Sequence, residues 1–285
     1  MIGLHRRPRL ELMLLLLPGA GFLAALFGFP LLTALLGSFG LVGDDPALTL
    51  KFYARIFTST VLLRSLATSL YYGVVPVAVT VVLAIVLALA LRRHFAGRKL
   101  FNGLYKIPMA VPGIIVALLV LTLIEQGGFV DRLLLPLGLK LPKMVRDPWG
   151  IGVIAATTWK QLPFMTLVIT GAFAAIPEDI RHAARTLGAG PIRAFLRIEL
   201  PLALPGITAA VLLTFIGSMG SFAIPDLVGA PNPLPLSVRM VRAFAEGDMS
   251  QVFAIGMVLS AFAFAVLIGY YALTSRVGTA KGDSR

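Results

Sequence analysis

The chain has 285 residues, of which 58% are hydrophobic and 13% charged, with a formal net charge of +12 and no cysteine. About a quarter of the residues of a soluble domain are charged, so this composition excludes a water-soluble globular fold. The lack of cysteine excludes disulfides, thiolate metal sites and cysteine nucleophiles.

Six apolar segments, 12–36, 65–91, 104–124, 149–175, 202–224 and 253–273, stand out along the chain. Each can cross a hydrocarbon core of about 30 Å as a helix. They predict an all-α, polytopic membrane bundle of six transmembrane helices, with residues 1–285 forming a single domain.

The chain starts with His5, Arg6, Arg7 and Arg9 and then turns apolar, as a secretion signal does. The apolar run 12–36 exceeds the roughly 7–15 residues of a signal core, so it reads as an uncleaved first span. The pair Arg6–Arg7 is too little for a twin-arginine signal. Residues 49–57, TLKFYARIF, alternate aromatic and basic side chains, which suits an interfacial anchor using Phe52, Tyr53 and Phe57.

In the third segment Pro108 and Pro112 bend the first half, and Gly113 allows close helix approach. The fourth carries TTWKQLPF, residues 157–164, near its middle. Lys160 is the basic residue deep within a span, and exposing it to lipid would cost at least about 2.5 kcal/mol. It must face the bundle interior, a partner helix or a watery cavity. One reading makes Trp159, Lys160 and Gln161 part of a translocation pathway or gate. The other pairs Lys160 with Glu125 or with backbone carbonyls of a neighbouring subunit.

Residues 176–201, IPEDIRHAARTLGAGPIRAFLRIELP, form a charged island between two apolar stretches. Pro177 suits a helix start, with Glu178 and Asp179 near the positive end of its dipole. Ile176, Ile180, Ala183, Ala184 and Leu187 recur at helical spacing; Gly188, Ala189 and Gly190 break the helix; Pro191 restarts it. Ile192, Phe195, Leu196 and Leu200 make a second apolar face, while Arg181, Arg185, Arg193 and Arg197 line the polar side. Two short amphipathic helices with a sharp bend, held at a membrane surface, suit docking against another protein. In the fifth segment Gly217, Ser218, Gly220 and Ser221 form a small-residue strip, either for helix packing or as pathway lining, with Ser218 and Ser221 on one face.

Loop charge sets the orientation. With the N-terminus inside, Arg92, Arg93, Arg98, Lys99, Lys106 and the basic residues of 176–201 are cytoplasmic, as are Arg276, Lys281 and Arg285. Asp44, Asp45, Asp131, Asp147, Asp226, Glu246 and Asp248 fall outside, in loops 37–64, 125–148 and 225–252. Both termini are then cytoplasmic. The basic residues are spread among loops without an aromatic-interleaved patch, so the positive charge reads as topology and no nucleic acid is expected.

No phosphate loop of the type G-x-x-x-x-G-K-[ST] and no H-E-x-x-H occurs, and His5, His94 and His182 form no metal cluster. The chain is therefore not expected to be an enzyme. An ion-gradient transporter, the alternative from another class, would need paired intramembrane acids; Glu125 is the one candidate near an end of the third segment, and Glu11 lies at the edge of the first.

Ala183-Ala184, then Gly188, then Ile198-x-Leu200-Pro201 at their spacing resemble the EAA loop of ABC importer permeases. The glutamate that the family has before the two alanines is His182 here. Residues 53–275 are similar to the core of type I binding-protein-dependent permeases, with 1–50 as an extra N-terminal helix and outer loop. The resemblance implies that His182, Ala183, Ala184, Gly188, Ile198, Leu200 and Pro201 couple the chain to a cytoplasmic ATPase. It implies a pathway in which Trp159, Lys160, Gln161, Ser218 and Ser221 are the candidate residues. It also implies a second permease, often a different chain, two ATPase subunits that hold ATP and magnesium, and an external binding protein. This chain would hold no cofactor, in the inner membrane of a bacterial cell.

IPMAVPG and FAIPDLVGAP resemble the branch that moves polyamines, ferric iron, sulfate, thiamine or aminoethylphosphonate, which makes a polyamine-type solute the first expectation. WKQLPFM-x5-GAFAAIPED is similar to sugar permeases, so a sugar, ferric iron or an anion are the alternatives.

Overall fold

A computed structural model of the chain describes residues 8–43, 46–92 and 94–279, and among these there are helices and no strand. The expectations for Arg6, Arg7, Asp44, Asp45, Arg93, Lys281 and Arg285 fall outside the described residues. Five helical stretches are long and apolar enough to cross a membrane: Leu15–Ser38, Thr60–Arg92, Gly113–Leu137, Pro191–Met219 and Met249–Gly269. The pair Ile151–Ala174 and Glu178–Thr186, bent by 67°, supplies the sixth if counted as one span.

The first span runs through α1 (Pro8–Leu23), a π-helical turn (Ala24–Gly28) and α2 (Phe29–Ser38). It stands at the margin of the bundle, with Leu15, Phe22, Phe27 and Phe29 exposed. Its one firm seat is at Gly37: a Cβ there would lie 2.2 Å from the ring of Phe253, so only glycine admits the aromatic ring so close. Next comes α3 (Lys51–Thr58), whose Ile56 is fully buried and whose Tyr53 hydroxyl donates to Ser38 Oγ at 2.7 Å. Packing thus turns Tyr53 inward and leaves Phe57 outward, so α3 is less an interfacial anchor than a clamp between α2 and the bundle.

Three long helices form the centre: α4 (Thr60–Arg92), α9 (Ile151–Ala174) and α12 (Leu200–Met219), the last two linked through α10 (Glu178–Thr186) and α11 (Pro191–Ala194). Val77, Ala84, Ala88, Met165, Ile169, Phe173, Ile207, Ala210 and Phe215 pack between them. Small residues bring the backbones together, since lipid supplies no hydrophobic drive and helix association depends on close van der Waals contact. A Cβ on Gly206 would sit 2.5 Å from Ala172 Cβ. Pro76 lies inside the continuous α4, and its carbonyl accepts from Thr80 Oγ1 (2.6 Å) and from Thr158 Oγ1 on α9 (3.4 Å). These hydroxyls bond a helix carbonyl within the bundle and tie α4 to α9 at the level of Pro76.

The third span is not one helix. It comprises α5 (Arg98–Leu104), α6 (Ile107–Ala110) and α7 (Gly113–Ile124), with α8 (Phe129–Leu134) and a 3₁₀ turn (Leu135–Leu137) beyond. Val111 takes an extended conformation because Pro112 follows it, and the helix stops there. At the end of the bundle opposite α10 lie α8, α13 (Ala223–Val228) and α14 (Leu236–Ala245), before the final helix α15 (Met249–Thr279). Outward-facing Val74, Val82, Val86, Leu118 and Phe264 remain exposed, a surface suited to lipid and not to water.

Candidate functional site

A cavity of about 410 Å³ opens between the break in the third span and helices α9 and α12. Met109, Phe164, Leu213 and Ile224 give it apolar walls; Thr157, Lys160, Gln161, Thr214 and Ser221 supply polar groups. Among its described lining residues there is no carboxylate.

Lys160 faces this interior. Its Nζ donates to the carbonyl of Val111 at 2.6 Å. The break at Pro112 explains why that carbonyl is free: the chain there no longer follows the helical path that would have paired it. The pairing with Glu125 is not found, because Glu125 lies 3.9 Å from Arg146 instead. Nor is a neighbouring subunit needed, since the accepting carbonyl belongs to the same chain. An ammonium has three donors, so its remaining donors can serve a solute.

Gln161 ties α9 to α12 through its amide, with Nε2 donating to Ser218 Oγ at 2.6 Å and lying 3.5 Å from the Thr214 carbonyl. Its Oε1 is buried without a hydrogen-bond partner among the described residues, beside the cavity. A buried polar atom left unpaired is costly, so Gln161 is held at this position against a local penalty.

Two expected pathway residues lie elsewhere. Trp159 is 41% exposed and does not line the cavity, because one residue along a helix turns the side chain by about 100° from Lys160. Ser218 is buried in its bond to Gln161 and is packing rather than lining. The shared face expected for Ser218 and Ser221 also fails, since α12 ends at Met219 and Ser221 sits in the turn beyond, lining the cavity. Thr214 was missed; a lone hydroxyl in the run AAVLLTFIG was the available signal.

At the other end of the bundle the chain turns sharply from α9 into α10. Gly188 has φ +78 and closes α10: its N–H bonds the Arg185 carbonyl at 2.9 Å, and Ala189 N–H bonds the Ala184 carbonyl at 3.0 Å. This pair of bonds is the Schellman ending, which glycine favours at the left-handed position. Ile176 and Ala184 turn inward, whereas Leu187 (87% exposed) and Ile192 (74%) project from the tip. His182 and Ala183 are also exposed, and Ile198 and Leu200 are half-buried.

The expected second short helix is not separate. From Pro191 the chain runs through α11, a π-helical turn (Phe195–Glu199) and α12 as one 29-residue span. Pro201 lacks an N–H, and the turn before it widens to π geometry instead of breaking. Arg185, Arg193 and Arg197 lie on the polar side as expected, but Arg181 folds inward. Its Nη2 donates to the Phe173 carbonyl at 2.7 Å, and its Nε lies 3.5 Å from Glu199 Oε2. Arg92 Nη1 donates to the same oxygen at 2.5 Å, and Arg92 rests 4.3 Å from the centre of the Phe173 ring.

Among the described residues no group of three or more His, Asp or Glu could hold a metal ion. A broken-span helical bundle with an open, largely apolar cavity carrying a few polar groups, and a bent helix projecting from one end, fits a membrane transport permease. The chain belongs to the family described as "Binding-protein-dependent transport system inner membrane component", whose model matches residues 80–279. It is thus a transmembrane permease component of an ABC importer, in a family of transport components rather than catalysts.

It is 26% identical over 247 residues to a trehalose/maltose transport system permease protein, MalF, of Thermococcus litoralis, covering 85% of this chain and 83% of the relative. It is 28% identical over 217 residues to a probable molybdenum ABC transporter permease protein of Haloferax volcanii, covering 76% and 77%. A bacterial ABC transporter involved in the import of the acidic polysaccharide alginate contains a chain of the same fold, with a TM-score of 0.80 at 20% identity over 95% of this chain and 97% of that one. These likenesses give no support to the polyamine branch.

Proposed function

We propose that this permease carries a small, neutral, polyhydroxylated solute of the sugar class through the Lys160–Gln161 cavity, driven by cytoplasmic ATPases that dock on α10. The observation that carries the reading is the cavity itself: hydrogen-bonding groups of Lys160, Thr157, Gln161 and Ser221 line it among apolar walls, with no carboxylate among its described lining residues. Hydroxyl and amide groups beside an ammonium suit a solute rich in hydroxyls. A polyamine would meet the Lys160 ammonium with no acid to offset it, and like charges at that distance repel. A sugar relative such as the trehalose/maltose permease agrees with this reading.

The exposed tip Leu187–Ile192, framed by His182, Ala183, Gly188 and the chain leading to Ile198, Leu200 and Pro201, is the surface offered to the ATPase. A second permease, a different chain, would close the pathway from the other side. Two ATPase subunits would hold ATP and magnesium, and an external binding protein would deliver the solute. In the inner membrane this orientation sets both termini in the cytoplasm. A second reading, an oxyanion substrate, is favoured by Lys160 and by the molybdenum permease relative.

The test is uptake by the full complex in proteoliposomes, using radiolabelled maltose, molybdate and spermidine as probes. ATP-dependent maltose uptake that falls with Lys160→Met, in a complex that still assembles, supports the proposal. Molybdate uptake without maltose uptake selects the second reading. Spermidine uptake alone contradicts both.

A further inference from the structure

We propose that Glu199 is the positioning residue that locks α10 to the bundle, so that a push on α10 reaches α4 and α12 and is not lost by flexing at the 67° joint. The proposal rests on the reading of α10 as the ATPase-docking helix.

Four pieces of chain meet at one carboxylate. Glu199 stands at the start of α12. Its Oε2 accepts from Arg92, the last residue of α4, at 2.5 Å, and faces Arg181 of α10 at 3.5 Å. Arg181 in turn donates to the carbonyl of Phe173, in the last turn of α9, at 2.7 Å. A cation there also meets the negative end of the α9 dipole. The side chains are largely withdrawn from solvent, at 27% exposure for Arg92, 23% for Arg181 and 14% for Glu199. Phe173 beneath them is fully buried, and Phe195 packs on it with ring centres 5.9 Å apart.

Charge makes the joint depend on Glu199 alone. Two guanidiniums converge on one carboxylate, and in this shielded place salt screens them little. Removing the carboxylate charge leaves two like charges facing each other with nothing between them, which is strongly unfavourable in a partly buried site. The joint between α9 and α10 has few other ties: Ile180 N–H bonds the Pro177 carbonyl at 3.3 Å, and Ile176 N–H bonds the Phe173 carbonyl at 3.3 Å. In the motif Ile198-x-Leu200-Pro201 this residue stands at the open position, so the motif itself assigns it no role.

The chain has no cysteine, so two pairs of spin labels can be placed cleanly in the ATPase-bound complex in nanodiscs. One pair, Arg185→Cys with Ala90→Cys, reports the spacing of α10 and α4. The other, Met109→Cys with Leu213→Cys, spans the cavity. With Glu199 present, the first distance stays single and narrow and the second shifts when ATP and vanadate are added. With Glu199→Gln, the first distribution broadens and the cavity shift is lost, while the ATPase still associates and hydrolyses ATP. The triple variant Arg92→Met, Arg181→Met, Glu199→Met removes the repulsion as well as the tie, and guards against a Glu199→Gln chain that fails to fold. It also loses the cavity shift. A narrow first distance and a full cavity shift in either variant overturn the proposal. Absence of a cavity shift in the chain carrying Glu199 overturns the docking reading itself, and the proposal with it.

Discussion

Gly188 shows how much one residue decides. Its φ of +78 lies in the left-handed region, where a Cβ is disfavoured by about 1 kcal/mol or more. Nothing lies within 4 Å of where that Cβ would be, so the cost is conformational and not steric. Gly188→Asp should therefore leave the spans inserted and misdirect the tip formed by Leu187 and Ile192. Co-purification of the ATPase should fall, while the amount of inserted chain stays unchanged; His182→Ala should be milder, because the family's carboxylate is already absent there. Lys160 was legible in the sequence, since an ammonium deep in an apolar span must find a polar partner. Its partner was not legible, because the Val111 carbonyl became available only through a helix break 49 residues away. Trp159 and Ser218 lie away from the cavity for a related reason: neighbours in sequence point to different sides, and which side faces the cavity depends on packing.

At the scale of elements, helix contacts in this bundle rest on missing side chains. Gly206 lets α12 approach α9 to the point where an added Cβ would lie 2.5 Å from Ala172 Cβ, which cannot swing aside. Gly206→Leu should cost about 1–3 kcal/mol by overpacking, or more where the backbone is held on both sides. Thermal unfolding of the purified chain should show a clear fall in Tm, whereas Gly171→Ala, with open space around its Cβ, should show none. Span boundaries in the sequence came within a few residues for α4, α9 and α15, where long apolar runs leave helix as the form that satisfies every backbone group in lipid. Prolines were harder. Pro112 ends a helix, Pro76 lies inside the continuous α4, and Pro201 is accommodated by a π turn, three outcomes for one residue type set by what lies nearby. The continuity of α11 with α12 was hidden for that reason.

For the whole molecule, the family and the helical class could be read from spacing and apolar runs, whereas the cavity could not, because it arises where three distant segments meet. The structure sets two features at a distance from each other: an open cavity with a few polar groups beside α9 and α12, and an exposed apolar tip at one end. The central claim is that this tip faces the cytoplasm and seats an ATPase. A Leu187→Cys variant of the cysteine-free chain tests it most directly, by crosslinking in native membranes and by labelling intact cells with a membrane-impermeant maleimide. The account predicts a crosslink to the ATPase subunit and no labelling from outside. Labelling of Leu187→Cys from outside, with no crosslink, would contradict it.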